Sequence, residues 1–227
     1  KIYFSTSERA KGYANTTNNS YGTKAVLYKL DIQSGKREEI LTDKFRSFCI
    51  RPDGEIIYSK DIRNGFGSQF WSVKNNESQY LGEIPVQISE LVVVGDRIFL
   101  SGKVLNSYFN IYELNIHNIT VIEITNNAWT ETEFSTHNEI LIYTANYDKT
   151  VALYGYDTIE GKFYELTATG FSRRGVVVDS SLYFISLSEL GEDLYIKNYE
   201  KIHTDIPKIK EDVEKKDSPY VAMEKVD

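Results

Sequence analysis

The sequence predicts an all-β protein, a β-propeller of about five four-stranded antiparallel blades, and three observations predict it. Short segments rich in β-branched and aromatic residues recur at an interval of about 42 residues, the period of one four-stranded blade. Between them lie Gly-, Asn- and Asp-bearing pairs of the kind that reverse a chain tightly. Ahead of the polar C-terminal tail, no stretch sustains the 3.6-residue apolar period of a helix.

Each blade reads as a meander A-B-C-D. The first opens at Ile2-Tyr3-Phe4-Ser5 as a B strand, followed by C at 26–30 and D at 38–42, and it lacks an A strand of its own. In the second blade the strands fall at 48–50, 56–59, 70–73 and 79–84, and in the third at 91–94, 98–101, 111–114 and 121–125. The fourth places them at 133–135, 140–143, 152–156 and 163–167; the fifth offers 176–178, 182–186 and 194–196. Asp53-Gly54, Gly95-Asp96 and His137-Asn138 join A to B. Ser34-Gly35, Asn75-Asn76, His117-Asn118 and Glu160-Gly161 join C to D, where positive φ or a side chain that bonds the local backbone is needed.

The segment Arg51-Pro52-Asp53-Gly54-Glu55-Ile56-Ile57-Tyr58-Ser59, with Arg63-Asn64-Gly65 after it, resembles the repeat of TolB-type, WD-like bacterial propellers, in which a Pro-Asp-Gly turn precedes the B strand. Leu27-Tyr28-Lys29-Leu30-Asp31 with Ser34-Gly35-Lys36, and Leu153-Tyr154-Gly155-Tyr156-Asp157 with Glu160-Gly161-Lys162, are similar to that family's C strand and C–D turn, each leading to a D strand ending Leu-Thr. The resemblance spans roughly residues 1–203, and only the second blade keeps the full Pro-Asp-Gly turn. It implies the propeller fold and an exported bacterial protein, periplasmic or at the cell surface. Transport accessories, peptidase propellers and surface proteins share the repeat, so it does not select a function.

Residues 1–203 are expected to form the propeller, and 204–227 a charged linker with a C-terminal segment. Within that tail, 208–217 is mostly Lys, Glu and Asp between Pro207 and Pro219. Residues 220–226 partly alternate apolar and polar and are expected to supply the missing A strand beside Ile2 and Ser5; alternatively that strand lies upstream of Lys1. The only methionine is Met223, so the chain reads as a matured protein or a piece of a longer one.

Of the 227 residues, 41% are hydrophobic and 26% charged, with a net charge of −7, and no basic cluster exceeds the pairs Arg173-Arg174 and Lys215-Lys216. That argues against a phosphate-backbone binder, and no apolar run reaches the length of a membrane span. One cysteine, Cys49, excludes an internal disulfide and a CxxC metal site and reads as a small buried hydrophobe. His117, His137 and His203 are too scattered to share a metal. No GxSxG, HExxH, P-loop or GxGxxG is present, and Gly65-Phe66-Gly67-Ser68 imitates a glycine-rich loop only superficially. No catalytic residue, cofactor or metal is assigned.

In this topology the D–A and B–C connections share one face of the disc. The B–C connections are the long ones: 7–24 carries Tyr13 and Tyr21, and 61–69 the second. To that face the D–A connections add Lys44-Phe45-Arg46, Asn127-Ala128-Trp129-Thr130 and Phe171-Ser172-Arg173-Arg174. Aromatics beside arginines suit a recognition surface, which makes Tyr13, Tyr21, Arg46, Trp129, Arg173 and Arg174 the candidate binding residues. The competing reading is inter-blade packing for Trp129 and Phe171 and solvated charge for the arginines.

The expected function is non-enzymatic binding or scaffolding, with a protein, peptide or surface glycan as partner. Two alternatives stay open: a propeller supporting a peptidase carried by flanking sequence, and a five-bladed glycosidase using inner-strand carboxylates such as Glu90, Glu131 and Glu133.

Overall fold

A computed structural model describes residues 1–9, 23–62, 65–75, 77–147, 150–167 and 170–206. It is a five-bladed β-propeller. Blade 1 is the three-stranded sheet β1 (Ile2–Arg9), β2 (Thr23–Leu30) and β3 (Arg37–Asp43). Blade 2 comprises β4 (Ser47–Ile50), β5 (Ile56–Asp61), β6 (Ser68–Lys74) and β7 (Glu77–Ile84). In blade 3 the strands are β8 (Gln87–Val94), β9 (Arg97–Lys103), β10 (Asn110–Asn115) and β11 (Thr120–Glu123). Blade 4 has β12 (Glu131–His137), β13 (Ile140–Ala145), β14 (Ala152–Asp157) and β15 (Lys162–Glu165). Blade 5 is three-stranded, with β16 (Ser172–Val178), β17 (Ser181–Ser188) and β18 (Gly191–Asn198). Neighbouring strands are antiparallel throughout.

The turns form as their residues dictate. At the C–D turns of blades 1 and 4, Asp31 and Asp157 accept backbone N–H groups on their side-chain oxygens, and Gly35 and Gly161 take positive φ (67° and 68°) to close the reversal. Gly67 answers a different need. It sits at φ 130°, and a Cβ there would strike the carbonyl oxygen of Ile84, so the Gly-Phe-Gly-Ser segment is a close backbone crossing.

Four apolar clusters lie between successive blades. Leu27, Ile56 and Tyr58 join blades 1 and 2; Ile57, Phe70, Ile98 and Leu100 join 2 and 3. Phe99, Ile111, Leu141 and Tyr143 join 3 and 4, and Ile142, Leu153, Val177 and Leu182 join 4 and 5. Alternation along each strand sends one set of side chains to the preceding blade and the other to the following one. On the B strands Ile57, Phe99 and Ile142 face forward, each fully buried, as do Phe70, Ile111 and Leu153 on the C strands.

The pattern breaks at blade 5. By its pairing with Ile185, Leu194 is the next member of the forward series, yet it is 68% exposed, and Ile196, Val176 and Val178 on the same face are exposed too. Among the described residues no strand after β18 joins this blade. The chain returns to blade 4, where β19 (Ile202–His203) pairs antiparallel with β15 through Tyr164↔His203 and Glu165↔Ile202. Ile206 is then buried in the cluster between blades 3 and 4. The expected closing segment, 220–226, and the rest of the tail from 207 lie outside the described residues.

The threonines that follow the D strands of blades 3 and 4 also find their reason. Thr125 and Thr167 are buried, and their hydroxyl oxygens accept the backbone N–H of Ile111 (2.8 Å) and Leu153 (2.9 Å), respectively. Each completes the bonding of a C strand where its D-strand partner ends.

Candidate functional site

The site builds up from the innermost strands. β8, β12 and β16 each carry a register shift near the D–A end, between Ile88 and Glu90, Thr132 and Ser135, and Arg173 and Val176. A bulge twists the strand and re-aims its side chains. At two of the bulges Glu133 (φ 59°) and Arg174 (φ 53°) adopt the left-handed conformation, uncommon for residues other than glycine and a marker of functional or over-determined positions.

Side chains tie these strands together around the axis. Ser47 Oγ accepts the Leu91 N–H at 2.9 Å. The Glu90 carboxylate accepts the backbone N–H groups of Glu133 (3.1 Å) and Phe134 (2.8 Å), satisfying donors that the bulge frees from the ladder. One blade further on, the Ser135 hydroxyl donates to the Gly175 carbonyl. Together Glu90, Glu133, Phe134, Ser135, Arg174, Gly175 and Val176 line a cavity of about 260 Å³.

Charge in this crown is closely paired. Glu133 Oε1 accepts Nε and Nη2 of Arg173 (3.1 and 2.6 Å) and Nε of Arg174 (3.1 Å), while Thr144 donates to Oε2 at 3.0 Å. Partial burial raises the Glu133 pKa, but the bonds from Arg173, Thr144 and Arg174 outweigh it and hold the carboxyl below its ordinary range. The remaining Arg173 donor, Nη1, reaches Glu192 at 3.2 Å.

A second carboxylate plays a different part. Glu131 is fully buried and accepts the Ile111 N–H, Asn127 Nδ2 and the hydroxyls of Thr125 and Tyr147. Burial pushes its pKa up against these donors. Asn127 in turn accepts the Trp129 N–H, so this network holds the connection between blades 3 and 4.

The sequence-derived residues therefore separate. Arg173 and Arg174 meet at the crown, and they lie within the inner strand β16; the bulge lets that strand begin at Ser172, ahead of the expected 176. Trp129 is half-buried, edge-on to Tyr147, in the cluster between blades 3 and 4. Arg46 stands apart, exposed and paired with Asp61 at 2.8 Å. Tyr13 and Tyr21 lie outside the described residues. Glu90, Glu133 and Ser135 were not among the expected binding residues. The available signal was an acidic residue recurring 43 positions on, at the same place in successive A strands.

Glu90 and Glu133 are occupied as acceptors, and Glu131, with its raised pKa, is shut away from solvent. Among the described residues no three His, Cys, Asp or Glu side chains gather as a metal site. The Cys49 thiol is buried and pushed up to about 12, which keeps it protonated at neutral pH.

The chain matches no protein-family model and no curated protein. Solved structures do resemble it. An acylaminoacyl peptidase from Pyrococcus horikoshii aligns at 17% identity and TM-score 0.63, over 90% of this chain and 36% of that one. TolB from Acinetobacter baumannii aligns at 14% identity and TM-score 0.58, over 80% and 48%. A puromycin hydrolase aligns at 11% identity and TM-score 0.57, over 81% and 34%. The likeness is one of fold, and the chain spans less than half the length of each of these structures. Among the described residues no helix is long and apolar enough to cross a membrane.

Proposed function

We propose that the protein is a non-enzymatic binding propeller that recognises a protein, peptide or surface glycan through the face where its D–A and B–C connections meet, with the Glu133-Arg173-Arg174 crown at the centre. Export to the periplasm or cell surface belongs to the same reading. What carries it is the cavity itself: three inner strands are bulged at one level, and a half-buried carboxylate in its wall holds a guanidinium pair of which Arg174 lines the cavity. Rigid presentation of polar donors over a small concave patch is the work of a recognition scaffold. The TolB neighbour is consistent with this use of the fold.

Peptide and glycan arrays probed with the native protein and with Arg173→Gln test the reading. The expected result is that features retained by the native protein are lost by the variant, which still unfolds in a single cooperative transition. Retention of the same features by the variant would place recognition elsewhere. The peptidase and hydrolase neighbours favour a second reading, in which the propeller accompanies a hydrolase domain; peptide hydrolysis by the natural full-length protein, absent from this propeller alone, would support it.

A further inference from the structure

Resting on that binding reading, we propose that the crown cavity takes the free carboxyl end of a peptide whose last side chain is apolar, with Arg174 as the residue that holds the carboxylate. The donors around the cavity narrow the choice. Arg173 spends Nε, Nη1 and Nη2 on Glu133 and Glu192. Arg174 commits only Nε, to Glu133, and its backbone N–H to Thr144 Oγ1 at 3.2 Å. Among the described residues its two terminal nitrogens have no hydrogen-bond partner, and its side chain is 61% exposed. A guanidinium edge left open in this way is a planar two-donor fork, the complement of a carboxylate.

The charge of the ligand follows from the neighbours. Glu133 and Glu90 both line the cavity, so a dianionic phosphate would meet two carboxylates for one available cation, whereas a monoanion needs only Arg174 to balance it. Size and polarity narrow the rest. About 260 Å³ is smaller than the cleft of a typical drug-sized ligand and suits one or two residues of a chain end. Phe134 and Val176 form apolar wall beside the open guanidinium, Val176 being 47% exposed and thus available for contact. Gly175 between Arg174 and Val176 brings the backbone close, since a Cβ there would lie 2.6 Å from a Leu153 methyl.

The test uses N-acetyl-L-leucine as probe, with N-acetyl-L-leucinamide, galacturonate and inorganic phosphate as comparators, followed by amide chemical shifts of the isotope-labelled protein. The acid is expected to shift Phe134, Gly175 and Val176 with a Kd on the order of 1–10 mM, as befits so small a ligand. The amide should bind about tenfold more weakly, Arg174→Gln should abolish the difference between acid and amide, and Arg174→Lys should restore part of it. Val176→Asp, at an exposed position that leaves the fold intact, should weaken the acid as well. Equal binding of acid and amide, tighter binding of galacturonate or phosphate, or no shift at the cavity would overturn the proposal. In any of those cases the array experiment with Arg173→Gln still decides the broader reading independently.

Discussion

Glu133 bears more of the site than any other side chain. Its backbone takes the strained conformation of the bulge, its N–H is held by Glu90, and its carboxylate anchors both arginines. A carboxyl held below its ordinary range gives up its proton more readily in the folded chain than in the unfolded one. Its contribution to stability is therefore full above the unfolded value of about 4.3 and is lost as the pH falls through the lower folded value. Glu133→Gln removes that contribution. The gap in melting temperature between native protein and variant should be widest at neutral pH and should close on acidification below about pH 4. A gap that does not change with pH would mean the charge on Glu133 is immaterial to the fold. Acidification should also free Arg173 and Arg174 from their anchor, so the pH at which the gap closes should be the pH at which ligand binding at the crown changes.

At the scale of elements, the forward face of the repeat changes consequence from blade to blade. Ile142 is fully buried against blade 5, whereas Leu194, the following member of the forward C-strand series after Leu153, is largely in solvent. Ile142→Ala should cost about 2–5 kcal/mol by urea denaturation. Leu194→Ala should stay within about 0.5 kcal/mol, since exposed truncations remove little buried area. Similar losses at both positions would show that blade 5 is covered in solution. Strand positions and most turns were legible in the sequence because Gly, Asn and Asp mark reversals locally and β-branched runs mark what lies between. The facing of residues was not. Taking Ile98-Phe99 and Ile140-Leu141 as equivalent positions aligns Phe99 with Leu141, but Phe99 faces forward while Leu141 faces back, and Ile142 is its counterpart. A slip of one residue in a period-two structure exchanges the two faces, and nothing in a one-dimensional pattern of apolar letters reveals it. The crown was half visible for a related reason: Arg173-Arg174 is conspicuous as a pair, but its anchor, Glu133, belongs to another blade 40 residues away.

For the molecule as a whole, burial declines toward both ends of the series of blades. Blades 2, 3 and 4 are each covered on both faces by apolar clusters, and blades 1 and 5 on one. Local opening follows the buried contacts that resist it. Amides of β16, β17 and β18 should exchange with deuterated solvent ahead of those in β9, β10, β13 and β14, and mass spectrometry of the labelled protein measures the order directly. Uniform protection across all five blades would contradict this gradient. A bound carboxylate at the crown, touching β12 and β16 together, should slow exchange in β16 selectively.

The return of the chain from blade 5 to blade 4 has a consequence in time as well as in space. Because β15 receives β19 only after the whole of blade 5 has been made, a chain emerging from the ribosome holds blade 4 with a bare edge for as long as β16, β17 and β18 take to appear. The last described stretch to be synthesised is thus the one that fastens an earlier sheet, and the nascent chain has to keep that edge from strangers until its own latch arrives.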